Sequence, residues 1–542
     1  MNTPDELKSI LMTESEPIRT PYDDIIYPEA AFAQSHPDRL ATLGLLLGME
    51  PAPIENCRVL ELGCGTGGNL IPMAYQYPNS VFIGIDYAAS QIDVARAAAS
   101  AINLTNIEFL AKNFLDVTDE SLGEFDYIIA HGIYSWVPRA VQEKMLDLYK
   151  KHLAPNGIAY ISYNTLPGWR MYGVGREMMM YRIRNITDYH ERSRVAREFF
   201  NFIANIPKSL DSDTHWSQFM NAFSILLQSQ ASYLQQKPDE MFVHDELEYN
   251  NEALYFYQFM ERAEAAGLQF LSESYFPYSV LSNFPENVRD FLGSHATNII
   301  ELEQFLDFFR NRTFRQTLLV HDNVQIERRV KPQQLAKLLI TSPMVQSPAQ
   351  PEDGVPNGTK FATRSDELSF VSNDAITVAS FSLLTEAYPA EYGLVELAQA
   401  SRATAYAYQI PPKSLEEDIQ SIAANVLQSF GRAYEMVELR ASPCPMTIEL
   451  SEYPTASLYA RFQAQTSKVV TNQRHERVNL DETTRFVLLH MDGTNTMQDI
   501  TNALERAGVA PKNRTPKEIR EGYAKEVNQI MGYLARSALI VG

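Results

Sequence analysis

The sequence predicts an α/β fold whose main part is an open, largely parallel sheet, followed by a smaller α+β region, and three observations carry this. Short apolar runs alternate with helical patterns from Arg58 onward: Val59–Leu62, a helix to Tyr77, Val81–Ile85, a helix over Ala88–Ala101, and Ile107–Ala111. Such alternation implies right-handed crossovers and hence parallel strands. The first run enters a glycine loop, Gly63-Cys64-Gly65-Thr66-Gly67, whose backbone can turn sharply and lie against a bound molecule because no Cβ intervenes. The second run ends on Asp86, an acid at the carboxyl edge of the sheet, where ribose hydroxyls are commonly bound.

Size and charge narrow the class. At 542 residues the chain is long enough for several cores. A formal charge of -21 argues against a nucleic-acid partner, which calls for a basic face, and suits a basic partner or solubility. No run of 18 apolar residues could span a bilayer, so no membrane insertion is expected. The start, Met1-Asn2-Thr3-Pro4-Asp5-Glu6, lacks a signal-peptide pattern, which makes the expected location cytoplasmic. Cys57, Cys64 and Cys444 have neither metal nor redox spacing, and no metal site is expected.

The elements follow in order. Residues 1–20 are polar; Tyr22, Tyr27, Pro28, His36, Pro37 and Arg39 then lead into an apolar helix over Leu40–Leu47 that ends near Gly48. This N-terminal segment, 1–50, reads either as a lid or as a helix beneath the sheet, with His36 and Arg39 as caps and surface residues or as ligands. The fourth strand, Phe125–Ala130, ends in His131–Pro138, and the fifth, Gly157–Ser162, ends in Tyr163–Trp169. Both loops open at the carboxyl edge, and they carry two of the chain's three tryptophans, Trp136 and Trp169. A helix around Phe259–Ala263, closed by Gly267, precedes a strand at Leu268–Leu271; another strand is expected at Thr317–His321. Beyond Arg328 the character changes. Pro348–Gly358 reads as a loop or hairpin tip, and helices over Ile376–Leu384 and Leu394–Ala398 bracket a turn in the manner of a winged helix. The expected divisions are a core over 51–328, a winged-helix-like domain over 329–450 and a C-terminal domain over 451–542, in which no catalytic constellation is evident.

Glu61, two residues before Gly63, decides between two cofactor classes. Gly63, Gly65 and Gly68 satisfy the dinucleotide pattern G-x-G-x-x-G. Glu61 with Gly63, Gly65 and Gly67, however, resembles motif I of class I S-adenosylmethionine methyltransferases, where the loop holds the methionine end of the cofactor. With His131–Pro138, Asn164–Trp169 and His244–Glu248 running on to Gly267–Leu271, nearly the whole chain resembles bacterial methyltransferases that carry a methyltransferase regulatory domain. That group contains the rickettsial-type protein lysine methyltransferases of outer membrane protein B.

The resemblance implies a Rossmann-like sheet completed by a sixth strand and an antiparallel seventh; the helical pattern between strands five and six then reads as an insertion over about 173–250 (Met178–Ile206 and Trp216–Leu234) walling the acceptor site. It implies S-adenosyl-L-methionine as cofactor, held by Glu61, Gly63, Gly65, Gly67, Asp86, Asn113, Phe114 and His131. It further implies methyl transfer to lysine amines of a protein, and a homodimer is compatible with it; the strand-end aromatics read either as core or as a channel for the acceptor, in which Tyr134, Trp136, Tyr163, Asn164 and His131 are the candidate catalytic residues. Two rivals stay open: a small-molecule O- or N-methyltransferase, which shares every cofactor residue, and a cofactor-sensing regulatory protein. A nicotinamide dehydrogenase lacks identifiable hydride-transfer residues.

Overall fold

The computed structural model describes residues 30–118, 122–206, 215–407, 412–507 and 516–542. The expectations for residues 1–20, Tyr22, Tyr27 and Pro28 lie outside them. Helix α1, Pro37–Leu46, starts where His36 accepts the backbone N–H of Asp38 on its Nδ1 and a proline presets the first turn; it stops before Gly48, at φ +82°. His36 is thus a cap, and Arg39 lies over the Tyr434 ring at 3.9 Å.

The strands β1 (Arg58–Leu62), β2 (Val81–Asp86), β3 (Ile107–Ala111), β4 (Phe125–Ala130), β5 (Leu153–Asn164), β6 (Leu268–Glu273) and β7 (Phe314–His321) form one sheet in the order β3-β2-β1-β4-β5-β7-β6. The first five are parallel, and β7 is antiparallel to both neighbours, pairing Ala159 with Leu319 and Leu268 with His321. Helices α2 (Leu70–Gln76), α3 (Ala89–Ala101) and α4 (Arg139–His152) make the crossovers. Strand β5 begins earlier than Gly157. Its register on β4 jumps between the Phe125–Leu153 and Tyr127–Ile158 pairs, so Pro155 sits in an irregularity where it takes no ladder bond away.

Four helices follow β5: α5 (Trp169–Ile183), α6 (Tyr189–Ala204), α7 (His215–Gln236) and α8 (Asp239–Glu246). The first of them begins at Trp169. The single run expected over Met178–Ile206 is two helices, because the Asp188 carboxylate accepts the N–H of Glu191 and starts a new one. After α9 (Phe256–Ala265) and β6 come α10 (Glu286–His295) and α11 (Ile299–Arg310), two helices beyond those expected.

Residues 339–440 form two small sheets, from β8 (Leu339–Thr341), β9 (Val345–Pro348), β10 (Thr359–Ala362), β11 (Ser369–Ser372), β12 (Tyr392–Gly393) and β13 (Glu438–Arg440), around α12 (Ala375–Ala387), α13 (Leu394–Ala405) and α14 (Leu415–Arg432). Pro348–Gly358 joins β9 to β10 as a hairpin tip. This region shares one apolar core with a face of the main sheet, continuous from Leu43 and Ile71 through Leu335 to Val426 and Leu439. The last elements, α15 (Leu458–Ala464), β14 (Val469–Thr471), β15 (Arg477–Asn479), α16 (Glu482–His490), α17 (Met497–Arg506) and α18 (Pro516–Arg536), close around a core of their own that includes Val470, Val487, Ile500 and Leu534.

Candidate active site

A cavity of about 430 Å³ opens at the carboxyl ends of β1, β2, β4 and β5. The glycine loop forms one wall. Gly63 has φ +74°, and a Cβ there would stand 2.4 Å from Ile133 Cδ1, so only glycine fits. The Gly65 N–H donates to Asp86 Oδ2 at 2.9 Å, and the Ala88 N–H donates to Asp86 Oδ1 at 2.9 Å. Asp86 thereby fixes the loop from the cavity wall.

Glu61 is the most unusual group in the wall. It is 2% exposed; Oε1 accepts from Asn69 Nδ2 at 2.7 Å, while Oε2 has no partner in the protein. Burial, reinforced by Asp86, pushes its carboxyl up to about 8. Leaving a buried carboxylate oxygen unpaired is costly, and a cationic group placed in the cavity would satisfy it.

At the end of β4, His131 stacks on Phe32 at 3.8 Å and its Nδ1 meets the Tyr160 hydroxyl at 2.8 Å. Burial lowers its imidazole to about 4, so it is uncharged at neutral pH. At the end of β5, the Asn164 backbone N–H donates to Ser135 Oγ at 2.9 Å, while its side-chain Nδ2 is buried without a partner. Trp136 meets Trp169 edge-on at 6.2 Å, and Trp169 stacks on Tyr172 at 5.7 Å. The insertion completes the wall with Tyr233 of α7 and with Asp245 and Glu246 of α8. Between them lies the Lys237 ammonium, 2.8 Å from Asp245 and 3.0 Å from Glu246, its side chain only 8% exposed.

The cavity thus gathers Glu61, Gly63, Gly65, Asp86, His131, Trp136 and Asn164 from the predicted set. Other members lie elsewhere. Tyr134 and Tyr163 are 1% exposed and pack under α9, with Tyr163 stacked on Phe259 at 4.1 Å and its hydroxyl 3.2 Å from Thr317 Oγ1. Successive residues of a strand point to opposite faces, so bringing Asn164 to the cavity turns Tyr163 away from it. Gly67 faces Phe109, where a Cβ would come within 2.8 Å, and it is Gly68 that lines the cavity. Asn113 spends its side chain on the Leu115 N–H, and Phe114 is buried in the core beside Val117.

Sequence reasoning missed Asn69, Phe32, Lys237 and the acidic pair of α8. His244–Glu248 was noted as a shared stretch, yet only the fold shows that part of it faces the glycine loop. Among the described residues no group of three or more His, Cys, Asp and Glu side chains could hold a metal ion, and no helix is long and apolar enough to cross a membrane.

Known proteins match this architecture along the chain. Residues 54–205 match the family described as a methyltransferase domain, residues 238–321 the predicted methyltransferase regulatory domain, and residues 452–539 the PKMT C-terminal winged helix domain. The uncharacterized protein RP789 of Rickettsia prowazekii (strain Madrid E) is 32% identical over 494 residues, covering 89% of this chain and 85% of RP789. The chain belongs to this methyltransferase family. A second protein of that organism, RP028, is 38% identical over 243 residues, which is 45% of this methyltransferase and 93% of RP028. The solved structure of PKMT2 from Rickettsia typhi is 28% identical, with a TM-score of 0.81 over 95% of this chain and all of that one; its complex with AdoHcy gives 0.82. The methyltransferase is therefore S-adenosylmethionine-dependent, with a Rossmann-like sheet and a C-terminal winged helix domain. The winged-helix match falls on 452–539, whereas the helix pair that suggested such a module lies at 375–405.

Proposed function

We propose that this methyltransferase modifies the side-chain amine of lysine in a protein partner. The observation that carries this reading is the wall facing the glycine loop, where an alkylammonium, that of Lys237, is already held by Asp245 and Glu246 beside Tyr233, Trp169 and Tyr172. Aromatic faces and carboxylates together suit the cationic head of a lysine. The structural likeness to PKMT2, a protein lysine methyltransferase, points the same way.

S-adenosylmethionine brings a methyl carbon already activated by its sulfonium, so the protein's task is alignment and exclusion of water. Glu61 would offer Oε2 to the amino group of the methionine end, the Gly63–Gly65 backbone would hold that end, and Asp86 would accept from the ribose. Trp136, Trp169 and Tyr172 enclose the methylene chain of the acceptor. A lysine amine titrates near 10.4 in water and must be neutral to attack; enclosure among rings lowers that value. The ammonium docks charged against the carboxylates and gives its proton to water as it is enclosed. His131, held near 4, is too weak a base for that proton and instead closes the wall with Phe32. The Asn164 amide orients the bound molecules.

Incubating the purified protein with methyl-labelled S-adenosylmethionine and lysate of its host tests the reading. Label on protein, mapped to lysine by mass spectrometry, is the expected result. Label confined to small molecules would replace it with a metabolite enzyme, and tight cofactor binding without label would replace it with a sensor.

A further inference from the structure

The C-terminal domain meets Asn69, a residue of the cavity wall, through one side chain. The turn between β14 and β15 is tied together by Asn472, whose Oδ1 accepts from the N–H groups of Arg474 and Glu476 at 2.9 and 2.8 Å. This turn holds His475 at φ +63°, a left-handed conformation that non-glycine residues adopt at a cost. The imidazole it presents is 1% exposed and meets Asn69 Oδ1 at 2.8 Å through Nε2.

The hydrogen bonds around Asn69 fix its orientation. Its Nδ2 donates to Glu61 Oε1 at 2.7 Å and to Ser35 Oγ at 3.1 Å, so Oδ1 is the accepting end. That oxygen receives the Phe32 N–H at 3.0 Å and, from the other side, His475. His475 must therefore carry its proton on Nε2, and its Nδ1, which has no partner, is the bare nitrogen. Burial lowers the imidazole to about 3, which keeps this tautomer neutral across the working range. One amide thus joins the glutamate of the glycine loop, the 32–35 segment that lays Phe32 on His131, and a residue 406 positions away.

We propose that His475 is a positioning residue for cofactor binding: by holding Asn69 it aims the Glu61 carboxylate into the cavity, which makes the winged helix domain part of the cofactor site. This holds whatever the acceptor is, since only the cofactor side is involved.

In the full chain, His475→Ala is expected to raise the dissociation constant for S-adenosylhomocysteine about tenfold, the scale of one buried hydrogen bond. The turnover number at saturating cofactor and the KM of the acceptor should stay within about twofold. His475→Gln places an amide N–H near the same point and should restore affinity to within about threefold. An unchanged dissociation constant in folded His475→Ala overturns the proposal, and so does equal loss in the two variants, which would mean that the ring only fills space. Should the alanine variant fail to fold, hydrogen exchange on the wild-type protein decides. Reciprocal coupling requires S-adenosylhomocysteine to slow exchange of the 472–476 amides, and no change there overturns it.

Discussion

Two buried polar regions share the main sheet, and they are built on opposite terms. Around Arg315, which is 0% exposed, every nitrogen has a carboxylate: Nε donates to Asp307 Oδ2 at 2.8 Å, Nη1 to Glu273 Oε1 at 2.7 Å and Nη2 to Glu303 Oε2 at 3.0 Å, while Arg312 also pairs with Glu273. Burial alone would push the Glu273 carboxyl up, yet Arg312 and Arg315 hold it below the ordinary carboxylate range. In the cavity, Glu61 Oε2 and Asn164 Nδ2 are as deeply buried and have no partner. The first region fastens β6, β7 and α11 together, with Glu303 Oε1 left unpaired but away from the cavity; the second leaves bonding capacity unspent where a ligand can use it. Polar burial by itself says little about role, and whether the groups are satisfied says much more.

The sharpest way to break this contrast is Arg315→Met. Removing this partner strands the buried Glu303 carboxylate and leaves Glu273 and Asp307 to Arg312 alone, and a loss of about 3–5 kcal/mol in unfolding free energy is expected. Denaturant unfolding measures it, and a loss below about 1 kcal/mol would show that the cluster adds little. Glu61→Gln should do the reverse, raising the melting temperature at neutral pH, because the amide has no proton to take up on folding, while raising the cofactor dissociation constant roughly 30-fold, the scale of a charge-assisted hydrogen bond. Equal damage to stability and binding, seen by calorimetry and melting, would erase the distinction between the two regions.

The pH dependence of cofactor binding is the next largest effect. Without cofactor, the Glu61 carboxyl is raised to about 8 from an ordinary 4.5, so the folded protein binds more protons than the unfolded chain between those values. Its contribution to stability is present below the lower value and is lost as pH rises through the upper one. Pairing with a cationic amino group requires the ionised form, so binding releases a proton, and affinity should climb about tenfold per pH unit until it levels off near 8. Calorimetry in two buffers of different ionisation enthalpy reads this directly, and a flat profile would mean that Glu61 is already charged or does not meet the ligand. The smallest effect is expected from Trp136→Ala, a loss of about 1 kcal/mol in the acceptor's kcat/KM with cofactor affinity unchanged. Parallel loss of both would place the ring against the cofactor.

What was legible in the sequence is what is enforced locally. Strands β1 to β4 stand out because each is a short apolar run punctuated by a turn, and Gly63 and Gly65 because their backbone conformation admits little else. The paths of Tyr134 and Tyr163 were not legible: a loop's position at a strand end does not say which face a side chain takes, and α9 draws both rings beneath it. Helices α10 and α11 lie between the expected strands at Leu268–Leu271 and Thr317–His321, in a stretch for which the sequence analysis names no element. Lys237 and Glu246 gain meaning only when the insertion folds back over the sheet, and no local pattern connects Asn69 to His475.

That last contact has a bearing on how the protein comes into being. During synthesis from the N-terminus, the glycine loop and all seven strands of the main sheet leave the ribosome well before His475 does. The nascent sheet can form early, but the Asn69 amide beside Glu61 lacks one of its anchors until the winged helix domain is made. Full grip on the cofactor is then a late event, timed by the length of the chain that must be translated first.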